Sequence, residues 1–129
     1  MNRDDRQQAV FKWAGDTFGQ AALEPKERIL RFLEEAVELA QAELMTHAQA
    51  RTVVDYVFGK PPGDPEKEVG GVGVTLLAYC AARGFSADAA EEREFDRVQT
   101  IDPVRFRERQ NKKAAAGIAA HVPEPGADQ

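Results

Sequence analysis

Apolar residues recur along most of this chain at intervals of three and four, the period of helices that bury one face. The pattern is widest at residues 27–44, ERILRFLEEAVELAQAEL. With Leu33 as the zero of a helical wheel, Leu30, Val37, Ala40 and Leu44 fall close to it. Phe32, Ala36 and Leu39 widen the apolar arc to about half the wheel, at ~100° per residue. So broad an arc predicts a central helix that touches more than one partner helix. Pro25 stands at its start, where the missing N–H costs little.

The other helices follow from the same period and from their caps. Residues 5–19 place Ala9, Val10, Trp13, Ala14 and Phe18 at helical spacing, with Asp4 or Asp5 as the cap and Gly15 as a weak point. Trp13 and Phe18 read as core or interface, with stacking on a base as the other reading. Thr46 caps a helix over 47–58 that carries Ala50, Val53, Val54 and Val57 on one side. Asp55 projects from it, and His47 has no second histidine at ligand spacing. The break GKPPGDP ends on Asp64 as a cap and Pro65 at the first helical position.

A helix over 66–83 comes next, with Val69, Val72, Leu76, Tyr79 and Cys80 as its apolar stripe. Gly70, Gly71 and Gly73 lie inside it, each costing up to ~1 kcal/mol relative to alanine. Close approach of another helix, or of a ligand to the backbone, would account for them. Gly84 ends this helix, Ser86 caps one over 87–98, and Asp102 with Pro103 opens a last, basic helix. Alanines, Gly117, Pro123, Pro125 and Gly126 predict a flexible tail over 114–129, with His121 in it. No stretch alternates as a strand, so the chain reads as all-α, one helical domain over residues 1–113.

Composition narrows the function. The 129 residues carry a formal net charge of −5, which leaves no basic surface for general nucleic-acid binding. Cys80 is the single cysteine, so no intrachain disulfide forms, and its apolar run marks a core position. No signal-peptide core and no apolar run of ~18 residues is present, which predicts a cytoplasmic protein without a membrane span. A Walker-type phosphate loop, a CxxC pair, an HExxH motif and a nucleophile–histidine pair are all missing. What remains is acidic: Glu34, Glu35 and Glu38 crowd one patch of the central helix. Either this is a solvated face, or a divalent cation gathers the carboxylates.

Glu34-Glu35-x-x-Glu38, followed after a loop by an acidic helix, resembles the MazG-like, all-α nucleoside triphosphate pyrophosphatase superfamily, whose pattern is EExxE and then ExxD. RFLEEAVELAQA (31–42), VDYVFGKPPGDP (54–65) and KEVGGVGVTLLAYC (67–80) are similar to its phage- and prophage-associated branch. The resemblance covers residues 13–113. It implies a four-helix-bundle-type fold, dimers or tetramers, and Mg²⁺-dependent cleavage of a (d)NTP to the monophosphate and pyrophosphate, with Mn²⁺ as a substitute ion. Carried over by position, Glu34, Glu35, Glu38 and Glu68 match the metal-binding carboxylates. The ExxD aspartate falls on Gly71, a gap that Asp55 or water could fill.

A triphosphate would be repelled by such a cluster unless a cation stood between them. Glu35 is then a further ligand or the base that takes a proton from water. Lys60, Arg105, Arg109 and Lys112 are the candidates for phosphate contacts, and Trp13 for the base. The competing expectations are a nucleotide-binding helical dimer that has lost turnover, favoured by Gly71, and a bundle with no ligand.

Overall fold

The computed structural model describes residues 1–119; positions 120–129, which include His121, Pro123, Pro125 and Gly126 of the expected tail, lie outside the described residues. The helices are α1 Arg3–Phe18, α2 Pro25–Ala42, α3 His47–Phe58, α4 Pro65–Arg83, α5 Ala87–Gln99 and α6 Pro103–Ala115, with a 3-10 turn at Gln20–Leu23 between α1 and α2. No described residue lies in a strand, and the protein is all-α. Among the described residues no single helix is long and apolar enough to cross a membrane.

Short polar side chains set the helix starts. Thr46 and Gln49 form a reciprocal capping box, with bonds of 3.1 and 2.9 Å. Asp64 accepts from the Lys67 N–H at 3.0 Å, Ser86 from Ala89 at 3.0 Å, and Asp102 from Val104 at 2.9 Å. Each such cap contributes about 1 kcal/mol. At α1 the cap is Asn2, which accepts from Asp5 at 2.8 Å, so neither Asp4 nor Asp5 plays the expected part. Both instead lie in the first turn, where carboxylates suit the positive end of the helix dipole.

Two helix ends share one geometry with different residues. Gly84 closes α4 at φ 71°, and Phe85 N–H donates back to the Cys80 carbonyl at 2.8 Å. Leu44 closes α2 in the same left-handed region, at φ 68°, with Met45 N–H bonded to the Ala40 carbonyl at 3.0 Å. A side chain held there is strained by about 1–2 kcal/mol. That turn explains why α2 stops at Ala42, short of residue 44. The last helix runs on to Ala115, beyond the expected limit of residue 113.

The chain divides into two compact units. The first comprises residues 1–36 and the described chain from Phe95 onward. Here α1 packs against the 3-10 turn and α6. Ala14 and Ala22 are buried, and Trp13, Phe18 and Phe106 meet edge to face with centroids 5.3–6.0 Å apart. Gly15 supplies room: a Cβ there would lie 3.2 Å from Leu23 Cδ1.

The second unit, Val37–Glu94, holds α3 and α4. Cys80 is buried as a free thiol, as its apolar neighbours predict. Most of the remaining stripe is not covered. Val53, Val54 and Val57 of α3 are exposed, as are Val72 and Val69 of α4, the latter at 71%. The helices form with the amphipathic pattern the sequence dictates, but the described residues of this unit do not cover it. The same holds for the arc of α2, where Leu30, Phe32, Leu33, Val37 and Leu39 are exposed. Gly70, Gly71 and Gly73 have no neighbour within 4 Å of a built Cβ, so the described residues of this unit do not make the close approach expected of them.

Candidate functional site

Because α2 is unbroken from Pro25 to Ala42, Glu34, Glu35 and Glu38 project from successive turns of one helix. Their surroundings differ. Glu34 is partly buried, and its Oε1 receives Arg31 Nη1 at 3.1 Å and Lys113 Nζ at 2.8 Å. Arg31 is itself anchored, with its Nε 3.2 Å from Glu27 Oε1 and its Nη2 donating to the Ile118 carbonyl. Glu27 is buried and accepts a 2.6 Å hydrogen bond from the buried Gln110 Nε2. A line of alternating charge thus runs from Glu27 through Arg31 and Glu34 to Lys113, with the neutral Gln110 amide at its head. With Glu34 near two cations, the repulsion expected among the three glutamates is offset.

Glu35 and Glu38 are exposed. Among the described residues the Glu38 side chain has neither a hydrogen bond nor an ion pair. Glu68 is exposed in the first turn of α4, where the helix dipole favours a carboxylate. Its Oε1 lies against Gly63, so close that a Cβ on that glycine would stand 2.6 Å away. Glycine there leaves space for the acid. Asp55 and His47 are exposed on α3. Among the described residues, neither unit by itself gathers three His, Cys, Asp or Glu side chains closely enough to hold a metal ion.

The basic candidates also separate. Arg105, Arg109 and Lys112 stand at i, i+4 and i+7 along α6 and are all exposed, which makes a solvated cationic stripe. The Arg109 guanidinium lies 5.6 Å from the Phe106 ring centroid. Lys60 Nζ stands 4.8 Å from the Tyr56 ring centroid, a cation–π contact at the end of α3. Trp13 packs on Phe18 and Phe106, which matches its reading as core.

Sequence reasoning passed over Glu27, Arg31 and Gln110, and counted Lys113 only as part of the basic last helix. The spacing of Glu27, Arg31 and Glu34 at i, i+4 and i+7 carried a signal for the first part of the line. Gln110 and Lys113 join it only because α6 returns to α2, which no local pattern encodes.

Chemically, Glu38 and Glu68 are hard oxygen donors with no paired cation among the described residues, the kind that magnesium and manganese take. Magnesium keeps several waters and needs only one or two carboxylates beside phosphate oxygens. No family model, curated protein or solved structure matches the chain.

Proposed function

We propose that this chain is a cytoplasmic, magnesium-dependent nucleoside triphosphate pyrophosphohydrolase of the MazG-like, phage-associated kind, turning a (d)NTP and water into the (d)NMP and pyrophosphate. The observation that carries the reading is the unbroken α2, which presents three glutamates on adjacent turns with Glu34 steadied by Arg31 and Lys113. Donors held by their own partners keep their direction when a ligand arrives.

Glu34, Glu38 and Glu68 would hold the ion, with Asp55 in reserve for the position that Gly71 leaves empty. When bound, magnesium or manganese neutralises phosphate charge and lowers the pKa of a water. Glu35 takes the proton from the attacking water. Arg105, Arg109, Lys112 and Lys60 offset the charge of the triphosphate in a protein whose net charge is −5.

The same reading makes the chain a homo-oligomer, with a dimer as the smallest form. Its support is the amount of uncovered apolar side chain on α2, α3 and α4, with Phe58 at 85% exposure as the extreme case. Exposed apolar patches of this kind mark interaction surfaces. A second copy of a bundle-forming chain would cover them and could bring further acids to the α2 glutamates.

Calorimetry with Mg²⁺ and a dNTP panel, followed by pyrophosphate detection, tests the reading. The expected result is metal-dependent binding and pyrophosphate release, both reduced to background by Glu38→Gln. Absence of pyrophosphate with every dNTP and NTP overturns it. A second reading, a nucleotide-binding dimer without turnover, is favoured by the two cations that already occupy Glu34 Oε1 and by glycine at position 71. It predicts metal-dependent binding and no product. Light scattering should give a mass of at least twice the chain under either reading.

A further inference from the structure

Arg28, on the first turns of α2, is a cation without an anion. Among the described residues its side chain forms no ion pair and no hydrogen bond, and its Nε is sealed from solvent with no acceptor. The nearest acid in sequence, Glu27, is already held by Arg31 and Gln110. The guanidinium is fixed in place by the Phe18 ring, 5.9 Å from its centroid. Burial pulls the Arg28 pKa below its ordinary value; Glu27 opposes that shift and the Arg31 charge adds to it. A half-buried guanidinium that lacks a partner is a destabilising feature unless something supplies the missing charge.

Arg28 forms one wall of a recess of about 370 Å³, between α1 and the start of α2 within a single unit. Gln7, Gln8, Val10, Phe11 and Ala14 line the rest. The chemistry of this lining is specific. With Nε shut in, only the paired Nη groups of Arg28 remain for an incoming oxyanion, end on, in the two-pronged geometry that suits phosphate. Phe11 is 52% exposed beside them, an aromatic surface without an aromatic partner. Two primary amides stand next to it, each able to donate and to accept, as the edge of a heterocycle requires. A pocket with one cation, one open ring and two amides favours a flat polar ring that carries an oxyanion.

We infer that this recess binds a nucleoside monophosphate, with the phosphate at the Nη groups of Arg28, the base on Phe11 and the base edge at Gln7 and Gln8. The choice of a nucleoside as the flat group rests on the function proposed above; the need for an oxyanion does not. The recess uses none of the α2 glutamates, so binding here requires no metal.

Calorimetry in EDTA separates this site from the acidic one. The four deoxynucleoside monophosphates, inorganic phosphate and the uncharged deoxynucleosides are titrated into the full chain, with the emission of its one tryptophan, Trp13, as a second signal. Trp13 reports because Phe18 contacts both it and Arg28. At least one monophosphate is expected to bind about tenfold or more tightly than its nucleoside, the effect of one charge-assisted pair. Arg28→Gln should remove that difference. Phe11→Ala, at an exposed position that folding tolerates, should weaken the nucleotide several-fold and leave inorganic phosphate unchanged. Arg28→Lys keeps the charge but not the fork, and should give an intermediate loss. No binding of any monophosphate, or binding that neither Arg28→Lys nor Phe11→Ala alters, overturns the inference. Pyrophosphate release without such binding would overturn it and leave the proposed function standing; Arg28-dependent binding without pyrophosphate release would do the reverse.

Discussion

Gly15 in α1 and Gly70, Gly71 and Gly73 in α4 are all glycines inside helices, in opposite company. A Cβ at Gly15 would press on Leu23 at 3.2 Å, whereas the three in α4 face open space. The difference runs through both units. The first closes on itself, with three aromatic rings, buried alanines and a buried Glu27–Gln110 bond. The second has helices of equal regularity, yet Cys80 is its one buried apolar side chain among the described residues. Amphipathic helices draw most of their stability from the face they bury rather than from propensity. A helix pair that buries almost nothing of its own chain needs another surface.

The largest expected effect lies in the closed unit. Phe106→Ala opens the aromatic cluster and should destabilise the fold by about 3 kcal/mol, as removal of a packed ring does, measured by urea denaturation at low protein concentration. Phe58→Ala, at an exposed position, should change stability by less than about 0.5 kcal/mol under the same conditions. Equal effects would erase the contrast between the units. Next comes Gln110→Ala, which takes a hydrogen bond from the buried Glu27. A loss of about 2 kcal/mol is expected for a buried acid deprived of a hydrogen bond, and an unchanged midpoint would show that the other partners of Glu27 suffice.

The glycines give a smaller and sharper test. Gly70→Ala with Gly73→Ala should raise the stability of the dissociated chain by roughly 1 kcal/mol per site, since each alanine enters free space in a helix. The same pair should weaken self-association, measured by sedimentation, if a second copy lies close on that face. Association that alanine leaves untouched would remove the glycines from the interface.

The smallest effect is a titration. Tyr79 donates to Glu43 Oε2 at 2.5 Å, and that bond raises the phenol pKa above its ordinary value of 10.0; Arg83, 3.4 Å from the same carboxylate, works against the rise. The protonated phenol is the form favoured in the fold. Its stabilisation is therefore complete below pH about 10 and is lost as the pH climbs through the raised value. Ultraviolet titration should show one tyrosine ionising late, and Glu43→Gln should bring it back toward 10.0.

Helix positions were legible because their causes are local. Thr46, Asp64, Ser86 and Asp102 each satisfy N–H groups two or three residues ahead, and Gly84 closes α4 in a backbone region that penalises other residues. Asn2 and Leu44 escaped because two adjacent aspartates made a plausible rival cap, and because a leucine at φ 68° breaks the local rule. Of the candidate site, the spacing of Glu34, Glu35 and Glu38 could be read directly. That Glu34 would be held by Lys113, seventy-nine positions away in the chain, could not.

The sequence alone determined an all-α chain, the starts of most helices and the direction in which each apolar face points, because helical period and capping act over a few residues. Only the tertiary structure decided which faces find cover, which acids acquire cations and that Arg28 acquires none. Those outcomes depend on distant segments meeting, and a carboxylate or a guanidinium takes its energy from whatever charge and solvent that meeting leaves beside it.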